Sequence, residues 1–344
     1  MRRIPALILL LAAVSFTACG SDDDGPTAAG EGTTSTEPAA VFPVTVEHAY
    51  GSTTVPSAPE RIAVVGLTEQ DIVLALGQVP IATSAWYGDQ PSAVWPWAQE
   101  QLGGAKPTVL SVADGFQFEK IAGLEPDLII GTNSGMTKAD YEKLSALAPT
   151  IAGVKGGTEY FSPWDQQTEL VAAALGKAEE GGKLVEDVQA AYAKAAAEHP
   201  EFEGKVATFL QNGFYDGKIY AYPEGLGTEF LTYLGFTINP RLKEIKTPRG
   251  EQVGISAERF DIADADVMVF ATEKAGDIDA LERIPTFGKL GAVKEHRAVF
   301  TDATLSGALY FMTPLSLQYA LGRLTPALAE AVEGEAPRKM MQAP

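Results

Sequence analysis

Short apolar runs separated by helix-forming stretches recur along most of this 344-residue chain, and that alternation confines it to an α/β architecture. IAVVG (62–66), VPIATS (79–84) and DLIIGT (127–132) read as buried strands with helical stretches between them, so the sheet should be mainly parallel. Alternating residues on either side of Gly51 read as a hairpin ahead of the first of these strands. Thr68 followed by Asp71 predicts a capped helix start, and Ser162 before Pro163 and Asp165 predicts another. The alternation is interrupted once. QQTELVAAALG and AEEGGKLVEDVQAAYAKAAAEH, between residues 166 and 199, are nearly free of β-branched clusters, and the second, at 1.5 Å per residue, would span about 30 Å. After Pro200 the alternation restarts and runs to a last helix near 313–333. The sequence therefore predicts an α/β protein of two lobes with mainly parallel sheets, joined by a single long bridging helix. The boundaries are an N-terminal lobe at 43–161, bridging helices at 162–200, a C-terminal lobe at 201–333 and a tail at 334–344.

The first residues have a different logic. In MRRIPALILLLAAVSFTACG, Arg2 and Arg3 precede an apolar run that is too short to span a bilayer, which is the order of an export signal over residues 1–18. Thr17 and Ala18 before Cys19 resemble the bacterial lipobox, although Phe16 stands where leucine is usual. Cys19 is then the expected lipidation site and new first residue, with simple secretion as the alternative. It is also the chain's only cysteine, so no intramolecular disulfide is available. Residues 19–42 contain SDDDGPTAAGEGTTSTEPAA, too poor in large apolar residues to bury a core, and read as a disordered tether. A net charge of −19 excludes nucleic acid and anionic lipid as partners that need a basic face.

The residues that could carry chemistry argue for binding rather than catalysis. The three histidines, His48, His199 and His296, are isolated in the chain, so direct binding of a bare metal ion is not expected. There is no G-x-S-x-G or H-E-x-x-H, and GKAEEGGKL misses a phosphate loop because Gly182 occupies the lysine position. Aromatic residues gather where predicted strands end. SAWYGDQPSAVWPW holds Trp86, Tyr87, Trp95 and Trp97. Tyr160, Phe161 and Trp164 lie at the start of the bridging helices, and Tyr215, Tyr220 and Tyr222 follow the first strand of the second lobe. Trp86 and Tyr87 leave a strand directly and suit ligand stacking, whereas Trp95 and Trp97, flanking Pro96, suit loop packing. Trp164, Tyr215 and Tyr310 complete the aromatic candidates. NPRLKEIKTPRG concentrates Arg241, Lys243, Lys246 and Arg249. It is either a solvated loop or a site where Arg241 and Arg249 grip an anionic ligand.

FEKIAGLEPDLIIGT (118–132) and AERFDIADADVMVFAT (257–272) repeat one pattern, an acidic helical turn leading into a buried strand. Together with the lipobox, H-x-x-G at 48–51, PERIAVV and the long bridging helix, these units resemble the iron-siderophore and vitamin B12 substrate-binding lipoproteins of ABC importers, actinobacterial ferric-siderophore binders in particular. The resemblance covers essentially the whole body of the chain. It implies a class III periplasmic-binding-protein-like fold, a ferric siderophore held between the lobes, and a monomer tethered to the outer face of the cytoplasmic membrane. It also implies that no cofactor is present, iron entering only as part of the chelate. By the same resemblance Glu119 and Glu258 dock the two subunits of the permease dimer. Either glutamate by itself could equally be a favourable charge in a first helical turn. The chain departs from hydroxamate binders in lacking a base just before Glu119. Haem and cobalamin are the alternative ligands within this class, and an anchored esterase, a reductase or a structural lipoprotein are the alternatives outside it.

Overall fold

The computed structural model describes residues 42–248 and 250–342. The expected export signal, Cys19, nearly all of the expected tether and Arg249 lie outside the described residues. No described helix is long and apolar enough to cross a membrane.

An antiparallel hairpin, β1 (Val44–His48) and β2 (Gly51–Val55), opens the fold. His48, almost wholly buried, holds it closed. Its Nδ1 accepts the Tyr50 N–H at 3.2 Å, which puts the ring proton on Nε2, 2.9 Å from Thr53 Oγ1. The N-terminal lobe follows as β3 (Ile62–Val64), α1 (Glu69–Ala75), β4 (Ala82–Ala85), α2 (Gln99–Leu102), β5 (Thr108–Ser111), α3 (Phe118–Ala122), β6 (Leu128–Ile130), α4 (Lys138–Ser145) and β7 (Thr150–Ile151). Its five strands are all parallel, in the order β5-β4-β3-β6-β7. Helices cover both faces, which is why β3 and β6 are apolar at every position. Ile62, Val64, Leu128 and Ile130 enter one core while Ala63, Val65 and Ile129 enter another on the opposite face.

Helices α5 (Trp164–Ala174) and α6 (Ala178–Glu198) then carry the chain to the second lobe. Gly181 lets them lie close, since a Cβ there would overlap the Ala172 side chain. Along α6, Leu184 packs on the N-terminal core while Val185, Val188 and Tyr192 enter the C-terminal one, so one rigid helix is a member of both. The Tyr192 hydroxyl donates to the Leu317 carbonyl at 3.1 Å.

The C-terminal lobe contains β8 (Val206–Tyr215), β9 (Lys218–Ala221), α7 (Glu229–Thr232), β10 (Thr237–Ile238), β11 (Val253–Ser256), β12 (Val267–Ala271), α8 (Ala275–Glu282), α9 (Gly291–Lys294), β13 (Ala298–Phe300), α10 (Ala303–Phe311) and α11 (Pro314–Val332). Its sheet runs β11-β9-β8-β12-β13, with β10 also on β8. The β8–β12–β13 and β8–β10 pairings are parallel, and the β8–β9–β11 pairings are antiparallel. The tail folds back, with Met341 N–H donating to the Phe300 carbonyl at 2.8 Å.

Two helix starts differ from expectation. Neither Thr68 nor Asp71 caps α1. The fully buried Glu69 carboxylate accepts the Thr68 and Asn133 N–H groups at 3.0 and 2.7 Å, and Asp71 is drawn into the seam between the lobes. Ser162 does not cap α5 either. Its hydroxyl donates to the Thr158 carbonyl at 3.2 Å, and Pro163 occupies the cap position.

Candidate functional site

Carboxyl-terminal strand ends from both lobes converge on a chamber of about 360 Å³. The N-terminal lobe contributes Trp86 and Tyr87, directly after β4. The C-terminal lobe contributes Gln211, Asn212 and Tyr215 on β8, Tyr222 just after β9, Glu273 just after β12 and Tyr310 on α10. A second chamber of about 550 Å³ lies on the N-terminal side, walled by Ser84, Ser111, Asp114, Phe116, Phe118 and Asp140. It occupies the point where the strand order reverses around β3, the usual ligand position in an open α/β sheet. Trp86 and Phe161 line both chambers and form the ridge between them. Phe161 has φ 56°, a left-handed conformation that is unfavourable for a side chain with a Cβ, and Asn133 Oδ1 holds it there by accepting its N–H at 2.9 Å.

The aromatic wall is continuous. Tyr87 meets Tyr310 edge-on at 5.4 Å between ring centroids, Tyr310 stacks on Tyr222 at 6.1 Å, and Tyr222 stacks on Phe209 at 4.5 Å. On the other side Trp86 packs against Phe311 at 5.7 Å and Phe161 at 6.3 Å. Burial pushes the phenols of Tyr87, Tyr222 and Tyr310 well above their ordinary range, so they face the chamber as neutral hydrogen-bonding groups. Glu273 is half-buried. Burial raises its carboxyl, and the neighbouring Tyr87 hydroxyl of the other lobe works in the opposite direction. Behind it, Asp277 Oδ2 accepts the main-chain N–H groups of Glu273 and Lys274 at 2.8 and 3.2 Å, and Asn212 Nδ2 at 3.3 Å. Tyr215 donates to Asn212 Oδ1 at 2.5 Å, and Gln211 donates to Gln252 at 3.3 Å.

Trp86, Tyr87, Tyr215 and Tyr310, expected from the sequence, therefore line one chamber. Trp164 does not. It is 3% exposed, belongs to the C-terminal core, and donates its indole N–H to Tyr233 at 3.3 Å, because the first turn of α5 turns that face inward. Arg241 also stands apart from the chamber. Its guanidinium pairs with Asp261 at 2.9 Å and Glu244 at 3.3 Å, and so pins residues 240–244 to 257–263. Lys243 and Lys246 border a neighbouring groove, where Lys243 pairs with Glu224 at 3.5 Å. The sequence reading missed Gln211, Asn212, Gln252 and Glu273. Of these Glu273 left a signal, as the first charged residue beyond the buried run VMVFA.

Glu119, on α3, and Glu258, in the 3-10 segment Ala257–Ala263, are both exposed, and neither makes an ion pair among the described residues. Each leaves the cleft-side end of its sheet. Glu119 follows the chamber-lining Phe118, and Glu258 follows β11, whose Ser256 pairs with Lys218 opposite Tyr215.

Two α/β lobes, a helix shared by their cores and an aromatic cleft at facing strand ends define a two-lobed protein with a ligand site between its lobes. A family model for periplasmic binding proteins matches residues 62–305, and the chain belongs to that family. It is similar to a solved periplasmic solute-binding protein of Mycobacterium smegmatis, at 40% identity and a TM-score of 0.78, over 84% of this chain and 98% of that one. The ferrichrome complex of PiaA from Streptococcus pneumoniae shares 29% identity with a TM-score of 0.72, over 85% and 99% of the two chains. A putative ABC transporter substrate-binding lipoprotein of Bacillus subtilis, YhfQ, is 28% identical over 75% of this chain and 81% of its own length.

Proposed function

We propose that this chain is the extracytoplasmic receptor of an ABC importer, which captures a ferric siderophore between its lobes and delivers it to the permease without chemistry on the ligand. The observation that carries this is the aromatic chamber built from strand ends of both lobes, of a size suited to a small organic chelate. The PiaA–ferrichrome complex supports the ligand class, and the lipoprotein relative supports the setting. Iron enters as cargo. Cys19 carries the lipid anchor that holds the monomer at the outer face of the cytoplasmic membrane. Glu119 and Glu258, one from each lobe and both without an ion-pair partner among the described residues, are the handles for the two permease subunits. Exposed ion pairs are worth about 0–1 kcal/mol each, so these would set orientation and encounter more than grip. Trp86, Tyr87, Tyr215 and Tyr310 contact the chelate.

Titration with ferric siderophores, haem and cobalamin, followed by tryptophan fluorescence, tests the reading, because Trp86 lines both chambers. Saturable quenching by a ferric siderophore at sub-micromolar concentration is expected. Saturation by haem or cobalamin alone would reject it.

A further inference from the structure

The charge of the cleft carries a more specific conclusion, which rests on the siderophore reading. Among the described residues lining the two chambers there is no Arg, Lys or His, whereas Glu273, Asp114 and Asp140 are all present. Among the described residues, the bases of the 241–246 loop are committed or displaced, and Lys274, next to Glu273, is exposed and lines neither chamber. Arg241 is engaged by Asp261 and Glu244, and Lys243 and Lys246 border the groove beyond Phe161 and Leu226. Glu273 is held in place through its main chain, which donates to Asp277, and it lines the chamber together with Tyr87 of the opposite lobe. An anionic chelate placed there would lose water and meet a carboxylate without a compensating base, whereas an ammonium group would gain a charge-assisted hydrogen bond. We infer that this cleft selects ferric chelates without net negative charge, and that Glu273 is the specificity residue that favours those bearing a protonated amine.

The phenols and carboxamides around Glu273 fit the same class. Tyr87, Tyr215, Tyr222, Gln211, Asn212 and Gln252 offer neutral donors and acceptors, as the carbonyl and amide groups of a hydroxamate backbone require. Binding to the full chain should be measured by calorimetry with three probes. These are ferrioxamine B, whose ferric complex carries a free ammonium, ferrichrome, whose ferric complex is neutral, and ferric citrate, which is anionic. The expected order is ferrioxamine B, then ferrichrome, with ferric citrate weakest. E273Q should weaken ferrioxamine B by about tenfold to a hundredfold more than it weakens ferrichrome. Ferric citrate binding tighter than both hydroxamates would overturn the inference and leave the siderophore receptor standing. If that binding were lost in R249A, Arg249 would be the source of the missing positive charge. Equal losses for all ligands in E273Q would also overturn it, by reducing Glu273 to a structural part. If none of the three probes bound, the siderophore reading would fail and this inference with it.

Discussion

Two aromatic pairs in one loop, eight residues apart, have opposite duties. Trp86 and Tyr87 are half-buried and present their faces to the chamber, whereas Trp95 is 2% exposed and stacks on Trp97 at 5.0 Å with their planes 7° apart. Trp95 is also held by close backbone approach. A Cβ at Gly88 would overlap its ring, and one at Gly307, on α10 of the other lobe, would come within 2.6 Å. Phe311 meets both indoles of this second pair edge-on, and the Trp97 N–H donates to the buried Asp71 at 2.7 Å, which also accepts from Thr313 at 2.7 Å. The second pair is thus a seam that fastens the lobes beside α6, and the first is a surface left for something else. Both pairs have aromatic neighbours, so an aromatic cluster in a loop marks a ligand only where part of its ring surface still faces a cavity.

The largest test of this contrast is Trp95→Ala. Emptying so closely packed a site should cost about 3–5 kcal/mol in urea unfolding. A stable variant with lost affinity would mean that both pairs serve the ligand. Asp71 offers the next largest effect. Burial raises its carboxyl from 3.8 to about 6, against the opposing Trp97 and Thr313 hydrogen bonds. The folded chain therefore holds this proton more tightly than the unfolded one. Stability linked to the group is fully present below pH 3.8 and lost as pH rises through about 6, a swing of about 3 kcal/mol. Asp71→Asn should remove that swing, and its stability relative to the parent should be more favourable at pH 7.5 than at pH 4. An unchanged profile in unfolding experiments at the two pH values would show that the seam does not hold this proton more tightly than the unfolded chain.

Trp86→Ala should do the reverse of the seam variant. A siderophore affinity lower by about tenfold, read by calorimetry, with a smaller loss of stability than in Trp95→Ala, would sharpen the contrast. The smallest effect on the protein itself belongs to Glu119→Ala combined with Glu258→Ala. Unfolding should move by less than about 0.5 kcal/mol and chelate affinity should stay unchanged, while transport in vesicles reconstituted with the permease is lost. Lost affinity instead would place these carboxylates inside the cleft.

Much of the architecture was legible because burial on both faces of a parallel sheet leaves unmixed apolar runs such as Ile62–Val64 and Leu128–Ile130. The bridging helix was legible because Ala-rich sequence without β-branched clusters has few other outcomes. The site was only half legible. Trp86 and Tyr87 could be read from their place just after a strand, but Trp164 and Arg241 could not be excluded, since their partners Tyr233 and Asp261 lie 69 and 20 residues away. Gln211, Asn212 and Gln252 look like ordinary polar residues until the lobes face each other.

The sequence by itself determined the periodicities, and with them the two sheets, the helix shared by their cores and the aromatic content of the loops, because local patterns of burial are written residue by residue. Which aromatics keep a face on the chamber, the placing of Glu273 and Tyr87 in one chamber, and the lack of a described base in its lining were decided only by the tertiary structure. Stacking and electrostatic contacts depend on distances between groups that the chain brings together from separate lobes.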